Sequence, residues 1–516
     1  MNTVANPSRN DGQSQGNVLV RFLSGLERVG NKLPHPFWLF ILIAIAVLVL
    51  SWILASFKFS ATSPADGEEI AVKSLLTKDG AARIITEAVP NFVNFPPLGI
   101  ILVVMIGVAV AENSGLIFAA IRVIVTRVSA KWLTFTLALV GVTGSVASDA
   151  IYVVLIPLGA VIFKGAGRSP ILGAIVAFGS ASAGYNASLV VTASDPLLAG
   201  LTTSGANLLD ENYVVSPISN YFFTAASAVV LAGLVTLITE TLLVRTAATA
   251  DAEPDEDSAG DEQISAAAEH KGLRNALIAF LILAVLITLA LAVPSSPLRG
   301  EDQGVLNSPL IVGVAVVIGV IFLIVGTVYG ATVGTITAPG DIPPLMAKGV
   351  KELGPIIVLF FAASQFIAYF KWSELGPVVA IKGAELIEKA SLPPLILYAA
   401  VVVLVCVMNI FITSGSAQWA LMAPVLVPML MLLGTAPEVT QVLFRMGDSP
   451  TNVISPMSPY FALALGYLQK YKSSAGIGTL MSMTLPISIT LLVGWFLFFM
   501  LWYALGIPLG PGVPVR

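Results

Sequence analysis

The sequence predicts an all-α polytopic membrane protein with about nine transmembrane helices, two re-entrant hairpins and an inverted repeat with broken helices. Hydrophobic residues make up 56% of the 516 residues and charged residues only 11%, whereas soluble proteins carry about 25% charged residues. Several apolar runs reach the roughly 20 residues that a transmembrane helix needs. Two runs in each half contain a polar interruption, which is typical of broken membrane helices that line a protein-enclosed cavity.

Charge and cysteine content exclude several classes of protein. The net charge of −4 comes mainly from one acidic segment, so no nucleic-acid partner is predicted. Cys406 is the single cysteine, which excludes a disulfide within the chain. His35 and His270 lie outside the apolar runs, which argues against a histidine metal site in the membrane. No cofactor is predicted apart from a sodium ion.

An acidic segment divides the chain into two membrane-embedded halves. Residues 1–34 are predicted to form a cytoplasmic tail and an interfacial helix, and residues 246–274 an acidic cytoplasmic linker. The remaining predicted ranges are 35–245 for the first half, with a hairpin at 132–163 and a broken helix at 171–201; 275–330 for two scaffold spans; and 331–516 for the second half, with a hairpin at 395–433 and a broken helix at 439–468.

The first hairpin is predicted from its length and its flanking charges. The apolar run Trp132–Phe163 has 32 residues, whereas one span needs about 20 and two spans need about 40. Lys131 precedes the run and Lys164 follows it, and basic residues favour the cytoplasmic side of a membrane. A re-entrant hairpin with its tip at 143–149 satisfies both constraints. A polar centre in a later apolar run predicts a second tip at 413–419.

Features of the two halves correspond in order and spacing. Pro157 in the first hairpin matches Pro424 in the second, 267 positions later, and Asn186 matches Asn452, 266 positions later. The charge pattern gives the two copies opposite orientations in the membrane. An inverted repeat with paired broken helices is typical of a secondary transporter, in which substrate and ions bind where the breaks meet.

The breaks and hairpin tips offer oxygen atoms that suit a small, hard cation such as sodium. The candidates for binding it are Ser145, Ser148, Asp149, Asn186 and Ser188 in the first half, and Ser414 and Asn452 in the second. The alternative is that these side chains only satisfy backbone groups that the breaks release. The N-terminal ends of the half-helices present free N–H groups, which suit an anionic substrate.

Asp195 and Asp448 are the carboxylates that lie closest to the breaks, and each could carry a proton or contact a substrate. Arg445 precedes Asp448 by three residues on the same helical face, so a static salt bridge between them is the alternative. Arg445 could instead bind a substrate carboxylate through two hydrogen bonds. Trp419, just beyond the second tip, could stack on an aromatic substrate or serve only in packing.

Three stretches of the chain resemble the AbgT family of p-aminobenzoyl-glutamate transporters. They are SAGYNASLVVTASDPLLAG in the first half, and FITSGSAQWALMAPVLVPM and RMGDSPTNVISPMSPY in the second. The resemblance covers nearly the whole chain and implies a homodimer with an inner core and an outer scaffold. It also implies transport of p-aminobenzoyl-glutamate, a folate breakdown product, and in some members export of sulfonamide antimetabolites. Both import and proton-driven export are attributed to the family.

The resemblance further implies which residues contact the substrate or couple transport. The family's positions correspond to Asp195, Ser416, Trp419, Pro437, Arg445, Asp448 and Pro456. We therefore expect an ion-coupled secondary transporter for an aromatic amide that carries carboxylates, with proton antiport as the export mechanism. We expect it to be embedded in the lipid of a bacterial inner membrane.

Three other functions compete with this interpretation. Met446-Gly447-Asp448 is similar to the glycine-aspartate motif of intramembrane aspartyl proteases, but the partner tyrosine-aspartate motif is missing because serine precedes both Asp149 and Asp195. A channel is the second alternative, although an inverted repeat with broken helices favours alternating access. The third alternative is a sodium-coupled importer of another dicarboxylate.

Overall fold

The computed structural model describes most of the two predicted halves. The described residues are 36–62, 64, 67–126, 128–244, 266–293, 295–299, 308–391, 393–455 and 458–516. The predicted tail and interfacial helix at 1–34, most of the acidic linker and Pro456 therefore lie outside the described residues.

Helices form almost all of the described structure. In the first half they are Pro36–Ser56, Lys78–Thr86, Ala88–Val93, Pro96–Asn113, Leu116–Thr126, Leu133–Thr143, Ala150–Gly165, Pro170–Ala183, Ser194–Ala206 and Tyr221–Ile238, the last extended by a π-helical turn at Thr239–Leu243. Beyond the linker they are Ala266–Ala292, Pro309–Val312, Val314–Val333, Ile342–Glu352, Gly354–Trp372, Leu375–Lys389, Pro394–Phe411, Gly415–Leu432, Pro437–Asn452, Pro459–Tyr471 and Ile477–Leu505. Short 3₁₀ turns lie at Ala130–Trp132, Gly144–Ala147 and Pro339–Asp341, and the strands Ser60–Thr62 and Glu69–Ala71 pair antiparallel.

The number of spans agrees with the number predicted from the sequence. Ten helices of the described part are long and apolar enough to cross a membrane. Three of them are legs of the two hairpins, and the other seven together with the two broken helices make nine spans. The predicted fold class is therefore confirmed.

Both hairpins turn at polar tips. The first descends through Leu133–Thr143, turns through Gly144–Ala147 and returns through Ala150–Gly165. Ser148 closes this turn with a φ of +47°, a left-handed conformation that a non-glycine residue adopts only when its surroundings impose it. In the second hairpin Phe411 ends one leg and Gly415 begins the other, so the observed turn is shorter than the predicted tip at 413–419.

The two broken helices are interrupted between well-defined half-helices. The first break separates Pro170–Ala183 from Ser194–Ala206, and the second separates Pro437–Asn452 from Pro459–Tyr471. Three of the four half-helices begin with proline, which suits the first helical position because its missing N–H has no partner to lose there. The breaks leave backbone polar groups unpaired inside the bundle, so neighbouring side chains must satisfy them.

Spans that are far apart in the chain pack closely across its division into halves. Helix Pro36–Ser56 of the first half packs on Gly354–Trp372 of the second half, and Val314–Val333 packs on Pro96–Asn113. The second contact is so close that a Cβ atom on Gly107 would lie 1.9 Å from the carbonyl oxygen of Gly319. Only glycine fits at such an approach. The halves are thus interlocked around a shared centre.

One boundary differs from the sequence prediction. The helix assigned to 275–294 begins at Ala266, so the last part of the predicted linker is helical. Glu269 in this part pairs with Arg122 at 3.4 Å, which ties the segment to the first half. The stretch between the first two spans contains two strands and two short helices.

Candidate functional site

The half-helix Pro437–Asn452 is enclosed by protein despite its polar sequence. Every residue from Pro437 to Thr451 is buried. The surrounding elements are the second hairpin, the last helix and both halves of the first broken helix. Charged side chains in a membrane are tolerated where protein surrounds them and supplies partners. This half-helix therefore forms the polar centre of the bundle.

Arg445 joins the two broken helices through an ion pair. Its guanidinium donates to a carboxylate oxygen of Asp195 at 2.8 Å and to the carbonyl oxygen of Asn186 at 3.3 Å. Arg445 is 1% exposed and Asp195 is 8% exposed, so water does not screen the pair. The alternative salt bridge between Arg445 and Asp448 is not formed, because the guanidinium reaches across to the other repeat.

Asp195 also accepts hydrogen bonds from within its own broken helix. Its second carboxylate oxygen accepts hydrogen bonds from the backbone N–H of Thr192 at 2.7 Å and from the Thr192 hydroxyl at 3.1 Å. Both oxygens are thereby paired, and the first turn of Ser194–Ala206 has a defined orientation. The Nε atom of Arg445 has no partner within the described part of the chain. It is a free donor beside the ion pair.

Asp448 contacts both the first break and the second hairpin. One carboxylate oxygen accepts from the side-chain amide of Asn186 at 2.6 Å. A Cβ atom added to Gly415, at the start of the returning hairpin leg, would lie 3.3 Å from each Asp448 carboxylate oxygen. The other oxygen, Oδ1, is buried and lacks a hydrogen-bond partner among the described residues. Asp448 thus retains unused acceptor capacity.

Asn409 completes this centre and was missed by the sequence analysis. Its amide nitrogen donates to the carbonyl oxygen of Asp448 at 2.8 Å, to Thr451 at 2.8 Å and to the side-chain oxygen of Asn452 at 2.9 Å. The Asn409 side-chain oxygen is buried and unpaired in the described structure. The signal available in the sequence was a lone asparagine inside the apolar run Pro394–Phe411.

The predicted cation candidates lie in three places: the centre, the first hairpin tip and the second hairpin tip. Asn186 and Asn452 lie at the centre just described, and Ser188 lies in the same break as Asn186, where its hydroxyl accepts from the N–H of Val190 at 3.2 Å. Ser145, Ser148 and Asp149 lie at the first hairpin tip, where Asp149 hydrogen-bonds Tyr460 of the second broken helix.

The second hairpin tip supplies the remaining serines. The hydroxyls of Ser414 and Ser416 lie 3.2 Å apart, and Ser414 also accepts from the N–H of Ala417 at 3.4 Å as a helix cap. Both serines are therefore paired within the tip. In the part of the chain that the structure describes, no three histidine, cysteine or acidic side chains form a metal-binding group.

Trp419 is packed inside the protein. Its ring is fully buried and stacks on Phe444 with centroids 4.5 Å apart, and its indole N–H donates to Thr202 at 2.9 Å. Thr202 in turn donates to Gln441 at 2.8 Å. A substrate could contact the Trp419 ring only after these neighbours move. Pro437 is the buried first residue of its half-helix.

The fold and this centre define a multi-pass membrane transporter, since two inverted repeats bring their broken helices together at buried charged groups. The model of the "AbgT putative transporter family" matches residues 21–516. The chain is 35% identical to the p-aminobenzoyl-glutamate transport protein of Escherichia coli strain K12 over 497 residues, which cover 95% of this chain and 96% of that protein. The chain therefore belongs to the AbgT family.

Two solved structures have the same fold. The YdaH transporter of Alcanivorax borkumensis superposes with a TM-score of 0.88 and 40% identity, covering 93% of this chain and 100% of that one. MtrF of Neisseria gonorrhoeae, which is described among antimetabolite efflux pumps, superposes with a TM-score of 0.87 and 38% identity, covering 96% and 100%. The protein is thus a multi-pass transporter of the bacterial inner membrane and not an enzyme, which removes the protease interpretation.

Proposed function

We propose that this protein is an ion-coupled secondary transporter of p-aminobenzoyl-glutamate. The name of the Escherichia coli relative supports the choice of substrate. The observation that carries the proposal is the buried ion pair between Arg445 and Asp195, which joins the two broken helices at 2.8 Å. A substrate carboxylate matches the planar guanidinium in both charge and geometry.

The substrate carboxylate would compete with Asp195 for Arg445. The unpaired Nε atom of Arg445 offers one donor before the ion pair opens, and displacement of Asp195 offers a second. Because Asp195 lies on one broken helix and Arg445 on the other, this exchange loosens the contact between the repeats. Alternating access requires such a coupling between substrate binding and the relative position of the repeats.

Asp448 is the proposed coupling residue. Its Oδ1 atom and the Asn409 side-chain oxygen are both buried and unpaired in the described structure, which suits either a proton or a sodium ion. With a proton, the protein would export substrate and sulfonamide antimetabolites by antiport, and the description of MtrF supports this direction. With sodium, the same centre supports import, including import of another dicarboxylate.

Reconstituted protein provides the test of this proposal. Flux of p-aminobenzoyl-glutamate and of a sulfonamide is measured in proteoliposomes under an imposed proton gradient, an imposed sodium gradient or neither. We expect uptake against a concentration gradient with one of the two ions. Flux that is indifferent to both ions would contradict coupling, and absence of p-aminobenzoyl-glutamate flux would contradict the proposed substrate.

The protein is also proposed to act as a homodimer. In helix Ala266–Ala292 only 6% of the residues in the most apolar stretch are buried. Its exposed face carries large side chains such as Leu277, Leu281 and Val285. Lipid or a second copy would cover this face. The family resemblance favours the second copy.

A further inference from the structure

A cavity of about 280 Å³ with several polar side chains in its wall lies between the two halves, away from the central ion pair. Its wall combines the first half with helix Gly354–Trp372 of the second half. Its polar and charged lining residues include Glu87, Asn91, Asn94, Ser204, Asn207 and Lys371. The cavity therefore lies on the seam across which the repeats would move.

The cavity lies at the end of the bundle opposite the base of the first hairpin. Helix Pro96–Asn113 begins at the cavity and leads toward the basic cytoplasmic residues that follow it, whereas Ser194–Ala206 and Gly354–Trp372 end at the cavity. Basic residues at the first hairpin's base mark the cytoplasmic side. The basic residues therefore predict that the cavity faces the periplasm.

One helix connects the cavity with the central ion pair. Asp195 lies in the first turn of Ser194–Ala206, and Ser204 lies near its other end in the cavity wall. At 1.5 Å per residue the two are separated by about 14 Å along the helix axis. The cavity and the central ion pair thus lie at opposite ends of one buried helix.

Lys371 supplies the cation of the cavity. Its ammonium lies 2.7 Å from the carboxylate of Glu211, and the two side chains are 41% and 76% exposed. The hydrogen bond from Lys371 lowers the pKa of Glu211 below its ordinary value. Solvent-exposed ion pairs are weak, so a ligand carboxylate can replace Glu211 as the partner of Lys371.

Glu87 and the amide side chains provide hydrogen-bond acceptors and donors in the cavity wall. In the described part of the chain no cation pairs with Glu87, so its carboxylate can accept hydrogen bonds. Asn91 is held by Gln365 at 3.0 Å, whereas the exposed Asn94 is free to turn toward a ligand. The wall therefore offers an acceptor for an amine, donors and acceptors for an amide, and a cation for a carboxylate.

We propose that this cavity is a second, periplasmic ligand site, which binds compounds that carry an aromatic amine and a carboxylate. The amine donates to Glu87 and the carboxylate contacts Lys371. This inference rests on the proposed function for the choice of ligand. It also predicts that two ligand classes need different residues for binding. A sulfonamide with an aromatic amine but no carboxylate depends on Glu87 and not on Lys371.

Protection from labelling tests the site without requiring transport. Asn94→Cys places a thiol in the cavity wall, and a membrane-impermeant maleimide is added from the periplasmic side, while the native Cys406 is buried. We expect p-aminobenzoyl-glutamate to slow labelling. Adding Lys371→Met should raise the half-protecting concentration about 10-fold, the loss of one charge-assisted hydrogen bond. Lys382→Met is the matched control, since Lys382 pairs with Glu385 outside the cavity.

The labelling experiment also uses a second ligand, sulfanilamide, and a second variant, Glu87→Gln. Protection by sulfanilamide should be unchanged in Lys371→Met, and Glu87→Gln should weaken protection by both ligands. Thermal unfolding of each variant confirms that the fold is intact. Equal protection in Lys371→Met and Lys382→Met, or no protection at all, would overturn the periplasmic site. Protection without flux in proteoliposomes would support the site and contradict the proposed transport function.

Discussion

The guanidinium of Arg445 lies 2.8 Å from the carboxylate of Asp195, although the two residues are 250 positions apart in the chain. The pair joins the second broken helix to the first and is buried on both sides. Two buried charges can coexist because each compensates the other. Removal of one leaves the other unpaired in a low-dielectric interior.

The first prediction concerns this ion pair. Asp195→Asn keeps the size of the side chain but leaves Arg445 without a counter-ion, and we expect the free energy of unfolding to fall by about 3–5 kcal/mol. Reversible denaturation in mild detergent measures the loss. Glu385→Gln, which breaks an exposed pair with Lys382, is the control and should change little. Equal effects of the two substitutions would mean that the buried pair does not stabilise the fold.

The second prediction concerns Asp448. Asp448→Asn keeps an oxygen that can accept from Asn186, so we expect a much smaller loss of stability than for Asp195→Asn. An amide cannot bind a proton at neutral pH or balance a cation, so gradient-driven transport should be lost. Flux and denaturation are measured on the same preparation. Coupled transport at the rate of the unsubstituted protein would remove Asp448 from the coupling mechanism.

The polar breaks explain how far the sequence could predict this fold. Serine, asparagine and proline within apolar runs indicate hairpin tips and broken helices, because such residues are costly against lipid. That local signal indicated the first break, where Asn186 lies, whereas Asp448 lies inside the half-helix Pro437–Asn452, four residues before its end. The partner of Arg445 could not be found in this way, since helical spacing pointed to Asp448 while Asp195 comes close only when the repeats assemble.

Two further features depended on tertiary packing. The fully buried Trp419 ring is stacked on Phe444 and bonded to Thr202, which comes from the other half of the chain. A sequence pattern shows that a tryptophan follows a polar tip but not which surface covers it. Asn409 was missed for a similar reason, because one asparagine in an apolar helix gives no indication of its partners.

The third prediction concerns Trp419. Trp419→Ala removes a ring that is fully buried, so we expect the free energy of unfolding to fall by about 3–5 kcal/mol. Trp419→Phe keeps stacking on Phe444 and loses the hydrogen bond to Thr202, which should cost about 1 kcal/mol. Binding of p-aminobenzoyl-glutamate is then compared in the stable Phe variant. A large loss of affinity there would indicate that the indole contacts substrate during the cycle, and unchanged affinity would indicate packing alone.

The fourth prediction concerns assembly. We expect a dimeric mass in mild detergent, with Ala266–Ala292 at or near the contact because this helix is the least buried of the candidate spans. Leu281→Trp and Val285→Trp enlarge its exposed face and should shift the protein toward monomer if a second copy covers it. Leu497→Trp, on an exposed face of the last helix, is the control. A monomeric mass of the unsubstituted protein together with full transport would contradict the dimer.

The last prediction concerns the topology of the first hairpin. Both of its ends lie beside the same residue: Thr134, at the start of one leg, donates to Glu240 at 2.6 Å, and Arg168, after the other leg, pairs with Glu240 at 2.8 Å. Two ends that share a partner lie on one side of the membrane. Cysteines at Lys131 and Lys164 should therefore react with an impermeant maleimide from the cytoplasmic side.

A reference position makes the labelling result decisive. Lys78 precedes the second span and lies at its opposite end, so Lys78→Cys should react only from the periplasmic side. Labelling is carried out on intact cells and on inverted vesicles, with the buried Cys406 left in place. If Lys131→Cys and Lys164→Cys react from opposite sides, the 32-residue run crosses the membrane and the inverted repeat is lost. If both react with Lys78→Cys from the periplasm, the hairpin stands but the orientation inferred from the basic residues is reversed.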